Sequence, residues 1–159
     1  MPADRVPTFY VDACVLLAFV DNEAGRAPIV EELLRRAHAG KVEVITSVLS
    51  IAEVAYGANE LAGDLTDEVD ARISELWVPA SPVTLVDVST ALAVEARRLI
   101  REARALGFGI RSADALHLAG ARIYQCDEFF TYEDRPRWSE VLGLPVRAPY
   151  VQQLTIDMQ

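Results

Sequence analysis

Short apolar runs rich in β-branched and aromatic residues alternate with longer segments of helical periodicity along this chain. The runs have the length and residue types of buried strands, and they lie at 6–11, 42–46, 83–88 and 128–131, with an edge-strand candidate at 144–147. The intervening segments predict helices at 13–20, 27–39, 48–61, 66–77, 89–106, 112–124 and 138–142. Because alternating strands and helices usually build a parallel sheet, the pattern predicts an α/β sandwich around a mostly parallel sheet.

The helix predicted at 112–124 has a polar start and a body of small and apolar residues. Ser112 can serve as its N-cap, which places Asp114 in the first turn, where the helix dipole favours a carboxylate. One acid at this place needs no function. Several acids that meet there from distant parts of the chain would repel one another unless a cation lay among them.

The composition fits a globular protein with one sizeable core. The chain has 159 residues, of which 52% are hydrophobic and 25% charged, so we expect one domain at 1–148 and a C-terminal tail at 149–159. The polar start does not resemble a signal peptide and no apolar run is long enough to span a bilayer, so we expect a cytoplasmic protein without membrane contact. Cys14 and Cys126 stand in apolar surroundings and are expected to be free thiols.

The formal net charge of −9 argues against a general nucleic-acid binder, which is usually basic. It does not exclude an enzyme that acts on nucleic acid. A metal ion held by acids reverses the local sign, and a local basic stripe can still hold a phosphate backbone.

Acidic residues follow the predicted strands. Asp12 comes directly after the first strand, and Glu53 lies near the start of the helix after the second. Glu133 and Asp134 follow the fourth strand, while Asp114 opens the helix before it. Ligands of open parallel sheets bind beyond the carboxyl ends of the strands, so we expect these acids to share one crevice.

Each acid also has a purely structural explanation. Asp12 could cap the following helix, and Glu53 could form a capping box with Ser50. Asp114 could only complement the helix dipole, and the acid pair after the fourth strand could belong to a turn. The joint placement of the acids, rather than any one of them, indicates a functional site.

Converging carboxylates stay ionised together when a hard divalent cation binds them. Mg²⁺ and Mn²⁺ prefer such oxygen ligands. Zinc is disfavoured because Cys14, Cys126, His38 and His117 have no zinc-ligand spacing. A carboxylate-held Mg²⁺ can activate water and stabilise a leaving oxygen, so the pattern predicts phosphodiester hydrolysis.

Four segments, in this order, resemble the PIN-domain nucleases, and in particular the VapC-like toxins of bacterial type II toxin–antitoxin pairs. They are Phe-Tyr-Val-Asp-Ala at 9–13, Thr-Ser-Val-Leu-Ser-Ile-Ala-Glu-Val at 46–54, Ser-Ala-Asp-Ala-Leu-His-Leu-Ala at 112–119 and Phe-Phe-Thr-Tyr-Glu-Asp at 129–134. The resemblance extends over about 9–142. It implies a three-layer α/β/α sandwich with four to five strands, a Mg²⁺- or Mn²⁺-dependent endoribonuclease, an RNA substrate and a cognate antitoxin.

The resemblance also assigns the acids. Asp12, Glu53 and Asp114 match the three core acids of the family. The fourth acid usually stands two residues after a Thr, which here is Glu133, and the adjacent Asp134 could replace it.

The sequence departs from the family at two positions. A hydroxyl residue or Asn often follows soon after the first acid, where this chain has Cys14, and the fourth acid is Glu133 rather than the commoner Asp. Both departures concern the fine geometry of the metal site. Ser47 and Thr131 could orient a ligand or a water, or serve only as structural hydroxyls.

Arginines form the densest basic stretch just before this site. Arg97, Arg101 and Arg104 share one helix face, and Arg111 follows them. They could hold RNA phosphates or an acidic segment of an antitoxin, or form a solvated face tempered by neighbouring acids, Glu95 and Glu102.

Other features remain open at this level. His117 could act as a base but is more readily explained as a structural core histidine, and the helices at 27–39 and 66–77 could form a partner groove or a homodimer surface. A catalytically inactive RNA- or protein-binding module is the main alternative. A haloacid-dehalogenase type would need a second Asp where Cys14 stands, and a receiver domain would need an Asp after its third strand with a Lys, whereas Asp87 lies within that strand and Lys41 is the sole lysine.

Overall fold

The computed structural model of the protein describes residues 5–151, and its centre is a five-stranded sheet. All pairings are parallel and the strand order is β3-β2-β1-β4-β5. The strands are β1 Thr8–Val11, β2 Glu43–Ser47, β3 Val83–Val86, β4 Glu128–Phe130 and β5 Val146–Arg147. The predicted parallel sheet is confirmed, including its edge strand; β2 begins and ends one residue later than the sequence pattern indicated, and the other four strands are slightly shorter.

The helices cover both faces of the sheet. They are α1 Ala13–Val20, α2 Ala27–His38, α3 Leu49–Glu53, α4 Ala58–Leu61, α5 Asp67–Glu75, α6 Thr90–Ala105, α7 Ser112–Ile123 and α8 Trp138–Leu142. Neighbouring residues of a strand point to opposite faces. Tyr10 therefore packs with α6, α7 and α8, while Val11 packs with α1, α2 and α5. The three-layer α/β/α sandwich is confirmed.

The helix predicted at 48–61 is broken in two. α3 ends at Glu53, and α4 begins after Gly57, whose backbone is extended with φ −73° and ψ 157°. A Cβ on Gly57 would lie 2.9 Å from Val69 Cγ1, so this close approach requires glycine. The break places Glu53 at the carboxyl end of a short helix instead of early in a long one.

The start of α7 also differs from the prediction. Arg111 is the N-cap in extended conformation, without a side-chain cap, and Ser112 is the first helical residue. The predicted capping by Ser112 is wrong, but Asp114 still lies in the first turn. By contrast, the hydroxyl of Ser89 caps α6 as expected by accepting the Leu92 N–H over 3.1 Å.

The chain contacts the sheet again after β5. The Tyr150 ring packs edge-on against Phe130, with ring centroids 5.6 Å apart, and its hydroxyl donates to Glu128 over 3.0 Å. Part of the predicted tail thus lies against the domain. The remainder of that tail, 152–159, and residues 1–4 of the predicted domain lie outside the described residues. Between residues 5 and 151, no helix combines the length and apolar character that a bilayer crossing requires.

Candidate functional site

The carboxyl ends of the parallel strands meet at one edge of the sheet. Asp12 directly follows β1, Ser47 ends β2, and Thr131 directly follows β4. The Asp12 amide donates to the Phe130 carbonyl over 3.3 Å, which ties the ends of β1 and β4 together. This edge carries the acids that the sequence singled out.

Asp12 is a buried carboxylate with neutral partners. Its side chain stands at the N-cap position of α1 but makes no capping hydrogen bond, so helix capping does not explain it. The Cys14 thiol donates to Oδ1 over 2.7 Å, and burial raises the pKa of Asp12 while Cys14 and the Thr131 hydroxyl oppose that rise. Because burial makes ionisation of Asp12 unfavourable, a cation bound beside its carboxylate would stabilise the ionised form.

Glu53 is held by a histidine. Its carboxylate Oε1 lies 2.5 Å from His117 Nε2, and the side chain keeps 37% of its surface exposed while the imidazole is almost fully buried. Ser50 instead shares a 2.7 Å hydrogen bond with the Thr46 hydroxyl, so the capping box that could have explained Glu53 is absent. The capping explanation of Glu53 is wrong.

Asp114 interacts with other acids across the site. Burial raises its pKa, and the charges of Glu133 and Glu53 raise it further, whereas His117 and Arg135 lower it. Glu133 and Glu53, from two other segments, are therefore close enough to repel Asp114. The mutual repulsion that the sequence pattern predicted for converging carboxylates is present at Asp114.

The acids after β4 lie on a turn. The Glu133 amide donates to Thr131 Oγ1 over 3.1 Å, and its carboxylate lies 3.6 Å from Arg135 Nε. Asp134 is exposed and lines, with Asp114, a cavity of about 340 Å³. Both residues border the site, and Glu133 is the one whose charge acts on Asp114.

The predicted hydroxyls have definite partners. Ser47 Oγ accepts the Leu49 N–H over 3.1 Å at the start of α3. Thr131 Oγ1 accepts from the Glu133 amide and lies 3.4 Å from the Cys14 sulfur. Both are buried, so their hydroxyls organise the loops around the acids.

The acids do not form a closed metal cage. In the stretch 5–151, no three His, Cys, Asp or Glu side chains stand close enough together to enclose an ion. In the same stretch, no arginine or lysine forms an ion pair with Asp12, Glu53 or Asp114. Uncompensated carboxylate oxygens are the donors that Mg²⁺ and Mn²⁺ prefer, and Mg²⁺ commonly uses few protein ligands, so these residues fit such a cation by charge and donor type.

The arginines predicted to bind substrate share one property. Arg97, Arg101, Arg104 and Arg111 are exposed and have no hydrogen-bond or ion-pair partner in the described part of the chain, whereas every other arginine has at least one. Glu95 and Glu102, which could have neutralised the stripe, both pair with Arg98 instead. The four arginines are therefore solvated and form no ion pair with these two acids, and their role in binding substrate stays a prediction.

Three neighbouring cavities with shared lining residues, together called the arginine groove, lie between these arginines and Asp114. Arg97 and Arg101 line a first cavity, and Arg101 and Arg104 line a second, of about 590 Å³. The second cavity shares the Phe108 loop with the cavity that Arg111 and Asp114 line. The groove therefore leads along α6 to the first turn of α7.

Sequence reasoning missed three side chains at the site. Cys14 was expected among apolar neighbours but bonds to Asp12, and the free thiols themselves are confirmed. His117, which the sequence favoured as a structural core histidine, touches Glu53, and Tyr10 lies 2.7 Å from the other ring nitrogen of His117. One sequence feature that could have indicated this contact is Gly120, an isolated glycine inside a buried helix. A Cβ there would lie 2.9 Å from the Tyr10 ring.

The fold is similar to those of several solved toxin–antitoxin structures. VapBC2 of Rickettsia felis, solved with a promoter DNA fragment, matches with a TM-score of 0.67 and 12% identity over 87% of this chain and 96% of that one. VapC20 of Mycobacterium tuberculosis, a Sarcin-Ricin loop cleaving toxin, matches with a TM-score of 0.59 and 19% identity over 83% and 93%. A toxin–antitoxin complex of Klebsiella pneumoniae matches with a TM-score of 0.56 and 22% identity over 89% and 97%.

The sequence comparisons give the family. No curated protein sequence matches the chain significantly. The family model described as PIN domain matches residues 9–141, which is most of the chain and includes every acid discussed above. The chain therefore belongs to the PIN domain family.

Proposed function

We propose that this protein is a Mg²⁺- or Mn²⁺-dependent endoribonuclease and the toxin component of a toxin–antitoxin module. The observation that carries the proposal is the set of carboxylates at one sheet edge, three of which, Asp12, Glu53 and Asp114, form no ion pair with an arginine or lysine of residues 5–151. Asp12 is buried with neutral partners, and Asp114 is repelled by Glu133 and Glu53. Such an arrangement is unfavourable without a cation and favourable with one.

The residues have separable roles in this proposal. Asp12, Glu53, Asp114 and Glu133 would hold the metal, with Asp134 beside them, and a metal bound there supplies Lewis-acid chemistry for phosphodiester hydrolysis. Cys14 and Thr131 stabilise the ionised form of Asp12, as their effect on its pKa indicates.

The arginine groove supports an RNA substrate. Arg97, Arg101, Arg104 and Arg111 present guanidinium groups that pair with no acid among residues 5–151, in a groove that reaches Asp114. Arginine binds phosphate through planar, bidentate hydrogen bonds. We infer that the four arginines hold backbone phosphates on one side of the scissile bond. The description of VapC20 as a Sarcin-Ricin loop cleaving toxin supports RNA as the substrate class.

An antitoxin partner is supported by the similar structures, since those of Rickettsia felis and Klebsiella pneumoniae are toxin–antitoxin complexes. The surface between α2 and the end of α5 forms a groove of about 380 Å³, lined by Phe19, Leu34, Leu76 and Pro82. We propose this groove for the antitoxin. The predicted homodimer stays a prediction, which light scattering of the purified protein tests.

Cleavage of RNA by the purified protein tests the activity. With Mn²⁺ we expect endonucleolytic cleavage that EDTA abolishes. Asp12→Asn and Asp114→Asn should each lower the rate at least about 100-fold, because a metal ion contributes several kcal/mol to transition-state stabilisation. Asp64→Asn, which alters an exposed acid between α4 and α5, is the matched control and should leave the rate unchanged.

Two results would contradict this assignment. Cleavage that persists in EDTA or in the Asn variants would show that the acids are not the active groups. RNA binding without cleavage, together with no Mn²⁺ binding by calorimetry, would favour the inactive binding module instead.

A further inference from the structure

A chain of buried hydrogen bonds leads from the sheet to Glu53. The Ser47 amide at the end of β2 lies 3.1 Å from the Tyr10 hydroxyl, which lies 2.7 Å from His117 Nδ1. The opposite ring nitrogen, Nε2, lies 2.5 Å from Glu53 Oε1. Tyr10 and His117 are 0% and 2% exposed, so water does not compete for these bonds.

The donors fix the direction of the chain. An amide can only donate, so the Tyr10 oxygen accepts from Ser47 and its own proton is free to be donated to His117 Nδ1. A neutral imidazole whose Nδ1 accepts carries its proton on Nε2. That N–H then donates to the Glu53 carboxylate, so every member of the chain is satisfied when the imidazole is neutral and Glu53 is ionised.

The helix that carries His117 is shaped for this contact. Gly120 lies one turn further along α7, and a Cβ there would be 2.9 Å from Tyr10 Cε2 and 3.4 Å from the Tyr10 hydroxyl oxygen. The missing side chain lets the Tyr10 ring lie against α7. The phenol hydroxyl can thereby reach His117 Nδ1.

Glu53 is the acid most in need of external support. It is the last residue of a five-residue helix, and the backbone leaves helical geometry at Val54, with φ −95° and ψ 53°. Its carboxylate has no other hydrogen-bond partner in the described part of the chain. A long, partly exposed side chain at such a place has many rotamers, and ordering them costs entropy.

We propose that Tyr10 and His117 are positioning residues that hold the Glu53 carboxylate in one orientation for binding the metal ion. This inference rests on the proposed function. Residues that hydrogen-bond to a metal ligand and orient it usually contribute about 10- to 100-fold to metal affinity or activity. In this protein, His117 on α7 and Tyr10 on the central strand β1 orient the carboxylate. Their hydrogen bonds link β1, β2 and α7 to Glu53 at the end of α3.

Mn²⁺ affinity measured by calorimetry tests the proposal without reference to catalysis. His117→Leu removes the donor to Glu53 and should weaken binding on the order of 10-fold or more. His117→Gln keeps an N–H donor near the position of Nε2 and should restore part of that affinity. Tyr10→Phe should lower affinity less, and His38→Gln, an exposed histidine at the end of α2, should have no effect.

A double-mutant cycle separates positioning from a general structural role. If His117 acts through Glu53, His117→Leu should have no further effect on Mn²⁺ affinity in a Glu53→Gln background. Additive losses would overturn the proposal. Wild-type affinity in His117→Leu would also overturn it while leaving the proposed metal site intact, whereas a wild type that does not bind Mn²⁺ would overturn both.

A spectroscopic measurement applies even if the leucine variant does not fold. The chain contains only two histidines, His38 and His117, so ¹⁵N spectra of histidine-labelled protein are simple to assign. With Mg²⁺ at alkaline pH, wild-type His117 should be the Nε2–H tautomer, and Tyr10→Phe should shift it toward a tautomer mixture. A wild-type Nδ1–H tautomer would overturn the proposal.

Discussion

The thiol of Cys14 donates a hydrogen bond to Oδ1 of Asp12 over 2.7 Å. The family pattern that the sequence resembles implies a hydroxyl residue or Asn soon after the first acid, and this chain has the thiol there. Burial raises the pKa of Cys14 to about 12, which keeps the sulfur protonated and able to donate at neutral pH. The apparent departure from the family pattern therefore preserves a hydrogen-bond donor to the acid.

Two substitutions of Cys14 distinguish a requirement for a hydrogen-bond donor from a requirement for a sulfur atom. Cys14→Ser keeps a donor and should retain cleavage within a few-fold, whereas Cys14→Ala leaves the buried carboxylate of Asp12 with one donor fewer. A hydrogen bond to a charged group contributes about 1.5–3 kcal/mol, so the alanine variant should lose roughly 10-fold or more in activity. Cleavage rates of the two variants check this, and equal losses in both would show that sulfur itself is required.

Asp12→Asn should stabilise the metal-free protein at neutral pH. Burial raises the pKa of Asp12 above its ordinary value of 3.8, so the folded state binds this proton more tightly than the unfolded state. The free energy of unfolding of the wild type therefore falls as pH rises from about 3.8 through the raised pKa of the folded state. The neutral Asn avoids this loss.

Thermal unfolding in EDTA across pH checks that prediction. The Tm of Asp12→Asn should exceed that of the wild type at neutral pH, and the difference should vanish as pH falls toward the ordinary carboxyl pKa. Roughly 2–4 °C corresponds to each 1 kcal/mol for a chain of this size. Added Mn²⁺ should raise the Tm of the wild type only. A variant that is less stable than the wild type at neutral pH would contradict the burial argument.

The local features of the sequence predicted the fold and the approximate place of the site. Strand runs, helix periodicity and the rule that parallel strands end at one edge were sufficient to predict one shared region for Asp12 and Asp114, and the charge of His117 lowers the pKa of both. The contact between Glu53 and His117 was not accessible in this way, because the two residues are 64 positions apart and meet only where α3 ends early. Gly57, which precedes α4, lies against Val69, and such a tertiary contact is not visible in the local sequence.

Other errors have the same origin. Cys14 has apolar neighbours in sequence, yet the turn from β1 into α1 directs its thiol to Asp12. Ser112 has the residue type of an N-cap, but Arg111 adopts the extended backbone that defines that position. Residue type predicted which segments form helices, and long-range packing determined where their ends and side chains lie.

Gly120→Ala should destabilise the protein although alanine is the better helix former. The helix-propensity gain is at most about 1 kcal/mol. The new Cβ would lie 2.9 Å from Tyr10, whose ring is fully buried, and overpacking of this kind costs about 1–3 kcal/mol. We expect a net loss in the free energy of unfolding, measured with urea. Gly109→Ala, where a Cβ would meet nothing within 4 Å, is the control, and equal effects of the two variants would contradict the packing argument.

Neutralising two arginines of the groove should weaken RNA binding in a salt-dependent way. The double variant Arg101→Gln, Arg104→Gln removes two exposed guanidinium groups that have no partner among residues 5–151, so their loss should leave stability unchanged. If each contacts one phosphate, the slope of log affinity against log salt should fall by about 0.7 per arginine for single-stranded RNA. Binding of RNA to an inactive Asp114→Asn background, measured by fluorescence anisotropy at several salt concentrations, gives that slope.

Arg98→Gln is the matched control on the same helix. Because Arg98 is already paired with Glu95 at 2.6 Å, this variant should change neither the RNA affinity nor the salt slope. An equal change in the control and the double variant would show that the helix acts through its total charge rather than through a defined phosphate track.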